Sequence, residues 1–256
     1  MPSAECYSFM GFSFWGAGMQ KNFARLSPLD LANVLWLQWL ENVEPELDQI
    51  ISNLRQAFVA CEKTRQQMDY QTGSISLSAA LSLTLLIRNA QPTTVFEIGT
   101  FIGKSTLAMA LAMDATGIPG QIFTCDGSND FRVPRLSQTP VRGFPRATST
   151  HALETLRSEG VKLDMLHIDG RLGDRDPELI EQIMVPNAVV AVDDFEGTEK
   201  GVSVVSQLFS RPAFARHLLI YPMPAHVREA AGLLGSNSTA VLLPSAFLAF
   251  PRQSWR

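Results

Sequence analysis

The chain has 256 residues, a formal net charge of −4 and 46% hydrophobic residues, which is enough apolar material for a large core. A weakly acidic chain has no general attraction to nucleic acid or anionic membrane surfaces, and no apolar run approaches transmembrane length. We therefore expect a small-molecule partner, with no nucleic acid and no membrane.

The three cysteines, Cys6, Cys61 and Cys125, are odd in number and widely spaced. They form neither a disulfide framework nor a metal motif, and this usage is typical of a reducing compartment. The first basic residue is Lys21, so the start of the chain is not typical of a signal peptide. We expect a cytoplasmic protein.

The N-terminal part divides into an aromatic segment and helices. Residues 1–27 are rich in aromatic residues and glycine, and LDLANVLWLQWLEN after Pro28 has helical periodicity. A second helix is predicted from Glu44 to about Met68. We assign residues 1–69 to an element that serves as a lid or as a homodimer contact.

Residues 70–256 are predicted to form the main domain, because strands and helices alternate there. After a helix over 76–89, the predicted strands are 94–98, 121–126, 163–169, 188–194, 217–221 and 239–243. The predicted helices are 104–115, 151–159, 177–184 and 199–209, and 127–146 is predicted to be a loop because it contains three prolines. This alternation predicts an α/β fold, with a mostly parallel sheet covered by helices on both faces.

The sequence VFEIGTFIGKSTL, residues 95–107, places a glycine turn between the first strand and a helix. A phosphate-binding loop needs four residues between its two glycines, but only three separate Gly99 from Gly103. Phe101 stands where a dinucleotide-binding motif has its second glycine. A P-loop-like nucleotide-binding protein is therefore a remote alternative, and we expect Lys104 to be solvated.

Carboxylates end three of the predicted strands: Asp126, Asp169 and the pair Asp193-Asp194. Ligands of such sheets lie beyond the carboxyl ends of the strands, so these side chains are expected at one edge. Clustered carboxylates need partners there. The pattern favours a cationic or hydroxyl-rich ligand, or a metal.

Together, EIGTFIGKSTL, the acid of the next strand, HIDG and VVAVDDF resemble the class I S-adenosylmethionine (SAM)-dependent methyltransferases. The closest likeness is to small-molecule O-methyltransferases of the caffeoyl-CoA and macrolide-sugar type, over roughly residues 70–245. The resemblance implies a Rossmann-like, seven-stranded sheet with an antiparallel last strand. It also implies SAM as cofactor or substrate.

The resemblance also implies roles for individual residues. Glu97 would lie near the cationic amine of SAM, Asp126 would accept both ribose hydroxyls, and Asp169 would lie near the sulfonium and the acceptor. The full set of predicted cofactor-binding residues is Glu97, Gly99, Thr100, Gly103, Ser105, Asp126, Gly127, Ser128, Ser149 and Asp169.

The acceptor side leaves alternatives open. Asp169, Asp193 and Asp194 match the acids that hold Mg²⁺ in metal-dependent relatives, so a divalent metal is one candidate. Relatives often have a histidine base where this chain has Leu172, which puts ordinary O-methylation in doubt. We name Asp169, Asp193 and Tyr70 as candidate catalytic residues.

The leading functional prediction is a SAM-dependent methyltransferase acting on a small metabolite in specialised metabolism. The alternative keeps SAM but changes the reaction: its own α-amine attacks the γ-carbon. Such a SAM cyclase or lyase, an azetidine-2-carboxylate synthase, would release methylthioadenosine. The missing histidine is compatible with this alternative.

Overall fold

The structure is a computed structural model that describes residues 26–66, 74–128, 133–233, 235, 238–245 and 247. Two features named from the sequence lie outside these residues: Tyr70 and nearly all of the aromatic N-terminal segment.

Three helices precede the sheet: α1 (Pro28–Glu41), α2 (Leu47–Arg65) and α3 (Leu77–Ala90). The side chains of Ser27 and Ser76 cap α1 and α3 by accepting backbone N–H groups of their first turns. A 3₁₀ turn over Glu44–Glu46 precedes α2, so the second predicted helix begins three residues later than expected. The three predicted N-terminal helices are present.

The sheet contains β1 (Thr94–Ile98), β2 (Gln121–Asp126), β3 (Val141–Pro145), β4 (Leu163–Ile168), β5 (Met184–Val192), β6 (His217–Ile220) and β7 (Ala240–Pro244). The strand order is β3-β2-β1-β4-β5-β7-β6. Strands β1 to β5 pair in parallel, whereas β7 runs antiparallel to both β5 and β6. The seven-stranded, mostly parallel sheet is confirmed.

The remaining helices are α4 (Lys104–Thr116), α5 (Ser149–Ser158), α6 (Asp176–Ile183), α7 (Ser203–Phe209) and α8 (Ala225–Ala230), with a π-helical turn at Thr198–Val202 and a 3₁₀ turn at Pro212–Phe214. One core packs α1–α4 and α8 on one face of the sheet, and a second packs α5–α7 on the other. Strand alternation divides the two cores, since Val95 belongs to the first and Phe96 to the second. The predicted Rossmann-like arrangement is confirmed.

Two elements differ from the sequence prediction. The predicted loop over 127–146 contains strand β3, which lies at the edge of the sheet and pairs only with β2. Proline is tolerated at edge strands, so Pro145 ends β3 without breaking the sheet. The six-residue helix α8 was also not predicted, because so short a segment carries little periodicity.

None of the helices in the described ranges is both long and apolar enough to cross a membrane.

Trp36 provides a test of the N-terminal core. Its side chain is fully buried in α1, its Nε1 donates to the Tyr221 carbonyl at 2.8 Å, and its ring meets Trp39 edge to face. We expect Trp36→Ala to lower the free energy of unfolding by about 3–5 kcal/mol in urea titrations, because it leaves a cavity and an unpaired carbonyl. Leu29→Ala, in the same helix but 57% exposed, is the control and should change stability by less than about 0.5 kcal/mol.

Candidate cofactor and acceptor site

The strand register brings the predicted site residues to one edge of the sheet. Ile98 lies opposite Cys125 and Ile168, and Ile168 lies opposite Val192, so β1, β2, β4 and β5 end together. A cavity of about 770 Å³ opens at this edge. The predicted residues that line it are Gly99, Thr100, Ser105, Asp126, Gly127, Ser128, Ser149, Asp169, Asp193 and Asp194.

The glycine turn after β1 depends on a close backbone approach. Gly99 has φ +98°, and a Cβ there would lie 2.5 Å from the carbonyl oxygen of Asp169. Phe101 also has a positive φ, +46°. Asp126 stabilises this unusual backbone by accepting the N–H groups of Thr100 at 2.9 Å and Phe101 at 2.7 Å. Asp126 therefore organises the turn as well as lining the cavity.

The other oxygen of Asp126 accepts the backbone N–H of Ser128 at 2.7 Å. A carboxylate offers about four lone-pair sites, so these three N–H groups leave acceptor capacity for a ligand. Asp126 thus lines the cavity with acceptor capacity left, and its ribose contact stays a prediction.

Glu97 does not line the cavity. Its side chain is fully buried beneath the glycine turn, where it accepts hydrogen bonds from Thr106 and, at 2.6 Å, from Thr124. His167 Nδ1 lies 3.2 Å from its other oxygen. Burial opposes charge on His167, but Glu97 outweighs burial and raises the pKa of the imidazole. Glu97 therefore has an internal structural role below the glycine turn, and its contact with the SAM amine stays a prediction.

Gly103 and Lys104 lie at the start of α4, and Lys104 differs from its prediction. Gly103 does not line the cavity; it is the residue before α4, with φ +78°. Lys104 is buried rather than solvated, because it forms an ion pair with Glu62 of α2 and lies 4.7 Å from the Phe58 ring centroid. Lys104 also donates to Ser74 at 2.9 Å. It therefore joins α2 to the cavity wall.

Ser149 is held by a buried carboxylate that sequence reasoning missed. Asp176, fully buried at the start of α6, accepts the hydroxyls of Ser149 and, at 2.5 Å, Thr150. It also accepts the backbone N–H of Gly173 at 2.7 Å. Because Ser149 donates its proton to Asp176, the hydroxyl oxygen is available to the cavity as an acceptor.

The acidic edge is organised by a second residue that sequence reasoning missed, Lys200. Its ammonium hydrogen-bonds Asp169 and, at 2.6 Å, Asp194. Asp193 is held differently, because Thr239 donates to it at 2.6 Å. Lys200, Asp169, Asp193 and Asp194 all line the cavity.

Burial and electrostatics shift the pKa values of these groups. Burial, aided by the nearby Asp193, raises the pKa of Asp169 to about 6. Burial likewise raises the pKa of Asp193. Burial alone would lower the pKa of Lys200, but Asp169 and Asp194 reverse this and raise it. Lys200 is therefore charged at neutral pH.

The residues present do not fit the predicted metal site. In the described part of the chain, no group of three or more His, Cys, Asp or Glu side chains is arranged to hold a metal ion. The ammonium of Lys200 lies between Asp169 and Asp194, and the Asp193 carboxylate is turned to Thr239. The prediction of a metal at Asp169, Asp193 and Asp194 is corrected, since a lysine supplies the local positive charge.

Neither Lys200 nor Asp176 carried a sequence signal. Asp176 directly precedes the helix predicted over 177–184, and Lys200 lies in the helix predicted over 199–209, so local pattern marked neither as a site residue. Leu172 does line the cavity, so the site has an apolar group where relatives often have histidine.

The part of the chain that forms most of this site resembles a known protein family. Residues 96–195 match the family model described as a methyltransferase domain. This span begins in β1 and ends just after the Asp193-Asp194 pair. No curated protein matches the chain.

Solved structures show the same fold. One is the O-methyltransferase TomG from Streptomyces achromogenes in complex with SAM, 21% identical, with a TM-score of 0.53. A cofactor-bound protein from MTB is 17% identical with a TM-score of 0.53, and a Geobacter sulfurreducens methyltransferase is 14% identical with a TM-score of 0.50. Each likeness covers 74% of this chain and 89% of the other.

These findings define the class of protein. Residues 96–195 resemble a methyltransferase domain, and the fold is shared with solved methyltransferase structures. The predicted resemblance is confirmed, and the TomG structure that shares this fold contains SAM.

Asp126 tests the cofactor side of the cavity. We expect Asp126→Asn to weaken binding of S-adenosylhomocysteine by about 1.5–3 kcal/mol in calorimetry, because it removes charge-assisted hydrogen bonds. Asp164→Asn is the matched control, since Asp164 also accepts two backbone N–H groups, from Thr93 and Thr94, at the opposite edge of the sheet. Equal affinity losses in both variants would contradict a specific role for Asp126.

Proposed function

We propose that this protein is a SAM-dependent O-methyltransferase that modifies a hydroxyl group of a small metabolite, in specialised metabolism. The observation that carries the proposal is the cavity itself. Within the matched methyltransferase domain, it joins a glycine turn, a ribose-compatible carboxylate and an acidic acceptor edge. TomG, an O-methyltransferase involved in tomaymycin synthesis, shares the fold and supports this choice of reaction.

In the proposed complex, SAM lies along the carboxyl edge of the sheet. The glycine turn and the start of α4 would hold the methionine carboxylate, because the N–H groups and dipole of a helix start favour an anion. Asp126 accepts the ribose hydroxyls. Ser149 accepts a hydrogen bond from the amino group of the adenine, because its own proton is committed to Asp176.

The proposed transfer needs one proton acceptor. The acceptor oxygen attacks the methyl carbon, the carbon–sulfur bond breaks, and its electron pair neutralises the sulfonium. The hydroxyl proton passes to Asp169, a cavity-lining carboxylate that takes the role of the histidine missing at Leu172. Asp193 shapes the acceptor pocket, and Tyr70 remains a candidate that lies outside the described residues.

Residues 1–69 are proposed to act as a lid, with a homodimer contact as the second possibility. The supporting contact is the ion pair between Glu62 of α2 and the cavity-lining Lys104. The same pair argues against the phosphate-binding alternative, because Lys104 is already neutralised by a carboxylate. Excluding water would strengthen electrostatic interactions at the sulfonium.

The products of SAM turnover test the reaction. Purified protein incubated with SAM and a library of small hydroxyl compounds should form S-adenosylhomocysteine and a methylated product, as resolved by mass spectrometry. With SAM alone it should form neither. Methylthioadenosine above the spontaneous background with SAM alone, together with a cyclic amino acid, would instead establish the cyclase.

Ligand-dependent melting tests the cofactor. We expect S-adenosylhomocysteine to raise the melting temperature, because a ligand at 100 times its Kd stabilises the native state by about 2.7 kcal/mol. ADP and GDP with Mg²⁺ should leave the melting temperature unchanged, since the glycine turn lacks the phosphate-binding spacing. Stabilisation by the nucleotides alone would reverse this assignment.

A further inference from the structure

Lys200 is placed at the acceptor edge by a segment whose backbone is built for that position. Asp194, directly after β5, has φ +51°, and its carbonyl accepts the N–H of Gly197 at 2.9 Å. The chain then forms the π-helical turn at Thr198–Val202 instead of continuing directly into α7. π-helical turns are rare in proteins, and many of those that occur lie at functional sites.

Gly201 allows this turn to pack against the end of β5. A Cβ at Gly201 would lie 2.4 Å from the Phe195 Cα and 2.5 Å from the Asp194 carbonyl oxygen. Any side chain there would displace the turn, and with it the neighbouring Lys200. The close packing therefore fixes the backbone of the turn that carries Lys200, and the ion pairs with Asp169 and Asp194 hold its ammonium.

Lys200 differs from the other cations that line the cavity in the described chain. Lys104 is paired with Glu62 in the wall of the cavity. Arg171 has a side chain 76% exposed and is directed to Glu199 at 3.3 Å. Only the Lys200 ammonium is paired with carboxylates that themselves line the cavity.

The hydrogen-bond capacity of Lys200 is not exhausted by these partners. An ammonium has three N–H donors, and Asp169 and Asp194 accept two of them. Within the described residues no further acceptor of Lys200 is seen. One donor therefore remains for a ligand in the cavity.

We propose that the Lys200 ammonium is the resident cation of the acceptor subsite, in the place of a divalent ion, and that its third N–H binds a single hydroxyl of a phenol or an enol. A lone N–H contacts one oxygen, whereas a divalent ion with open positions can hold two vicinal oxygens. The subsite therefore selects a single hydroxyl rather than a vicinal diol. As the oxygen loses its proton to Asp169, the fixed ammonium stabilises the developing negative charge. This inference rests on the proposed methyl transfer.

Two variants and the wild type test the proposal: each is first titrated with S-adenosylhomocysteine, and then saturated with it for the measurements below. Lys200→Ala removes the ammonium. Lys162→Ala is the matched control, because Lys162 is exposed at the amino end of β4 and donates only to the Gln182 carbonyl among the described residues. Calorimetry should give the same S-adenosylhomocysteine affinity for all three proteins. Failure of the wild type to bind it would overturn the proposed function itself, separately from the role of Lys200.

The first measurement is Mn²⁺ binding, followed by electron paramagnetic resonance of the free ion. Removing the ammonium leaves the carboxylates of Asp169 and Asp194 without their cation. We therefore expect Lys200→Ala to bind Mn²⁺ at least about tenfold more tightly than the wild type and the control. The gain should disappear in the double variant Lys200→Ala/Asp169→Asn. Equal Mn²⁺ affinity in wild type and Lys200→Ala would overturn the proposal.

The second measurement uses para-nitrophenol, whose phenolate absorbs visible light. At a pH below the pKa of the free probe, the wild type and Lys162→Ala should increase the phenolate absorbance, because the ammonium stabilises the oxyanion. Lys200→Ala should lose this increase. The same absorbance with all three proteins, including no increase with any of them, would overturn the proposal.

Discussion

The site depends on one close approach, between the backbone of Gly99 and the carbonyl oxygen of Asp169. A side chain at residue 99 would begin 2.5 Å from that oxygen, a distance that real Cβ atoms do not adopt. Because Gly99 has no Cβ, β1 and β4 remain paired to their ends, and the Asp169 N–H reaches the Ile98 carbonyl at 2.8 Å. The cavity forms where these paired strands stop.

The second constraint is that every carboxylate brought to this edge needs a partner, since an unpaired buried charge is costly. The chain meets this need in three ways. Asp126 accepts backbone N–H groups of the turn, Asp176 accepts hydroxyls of the cavity wall, and Asp169 shares the Lys200 ammonium with Asp194. Each arrangement compensates the charge of a carboxylate and also orients a polar group of the cavity wall.

This compensation links the fold to the proposed chemistry. Where a metal ion would be recruited from solution, Lys200 is supplied by the chain and held by the turn that Gly201 permits. A covalently attached cation is always present, but it has fewer directions in which to bind oxygen than a metal ion. In the proposed site the positive charge is therefore permanent, but it cannot chelate two oxygens of one substrate.

The sequence by itself determined the architecture and the position of the site. Alternating strands and helices predicted the α/β fold, the spacing of Gly99 and Gly103 argued against phosphate, and Asp126 and Asp169 were placed at the cavity because parallel strands end together. Local pattern did not reveal β3, because an edge strand that contains glycine and proline has little strand character of its own and relies on β2.

Only the tertiary structure decided which of these side chains line the cavity and which partners hold them. Glu97 precedes the glycine turn in the sequence but points below it into a buried network with His167, since successive residues of a strand face opposite sides. Lys104 was expected to be solvated, but it is buried because it forms an ion pair with Glu62 of α2. Lys200 reaches Asp169, 31 residues earlier in the chain, from a π-helical turn that packs closely at Gly201. Such long-range contacts depend on the packing of the whole chain, so no local spacing in the sequence records them.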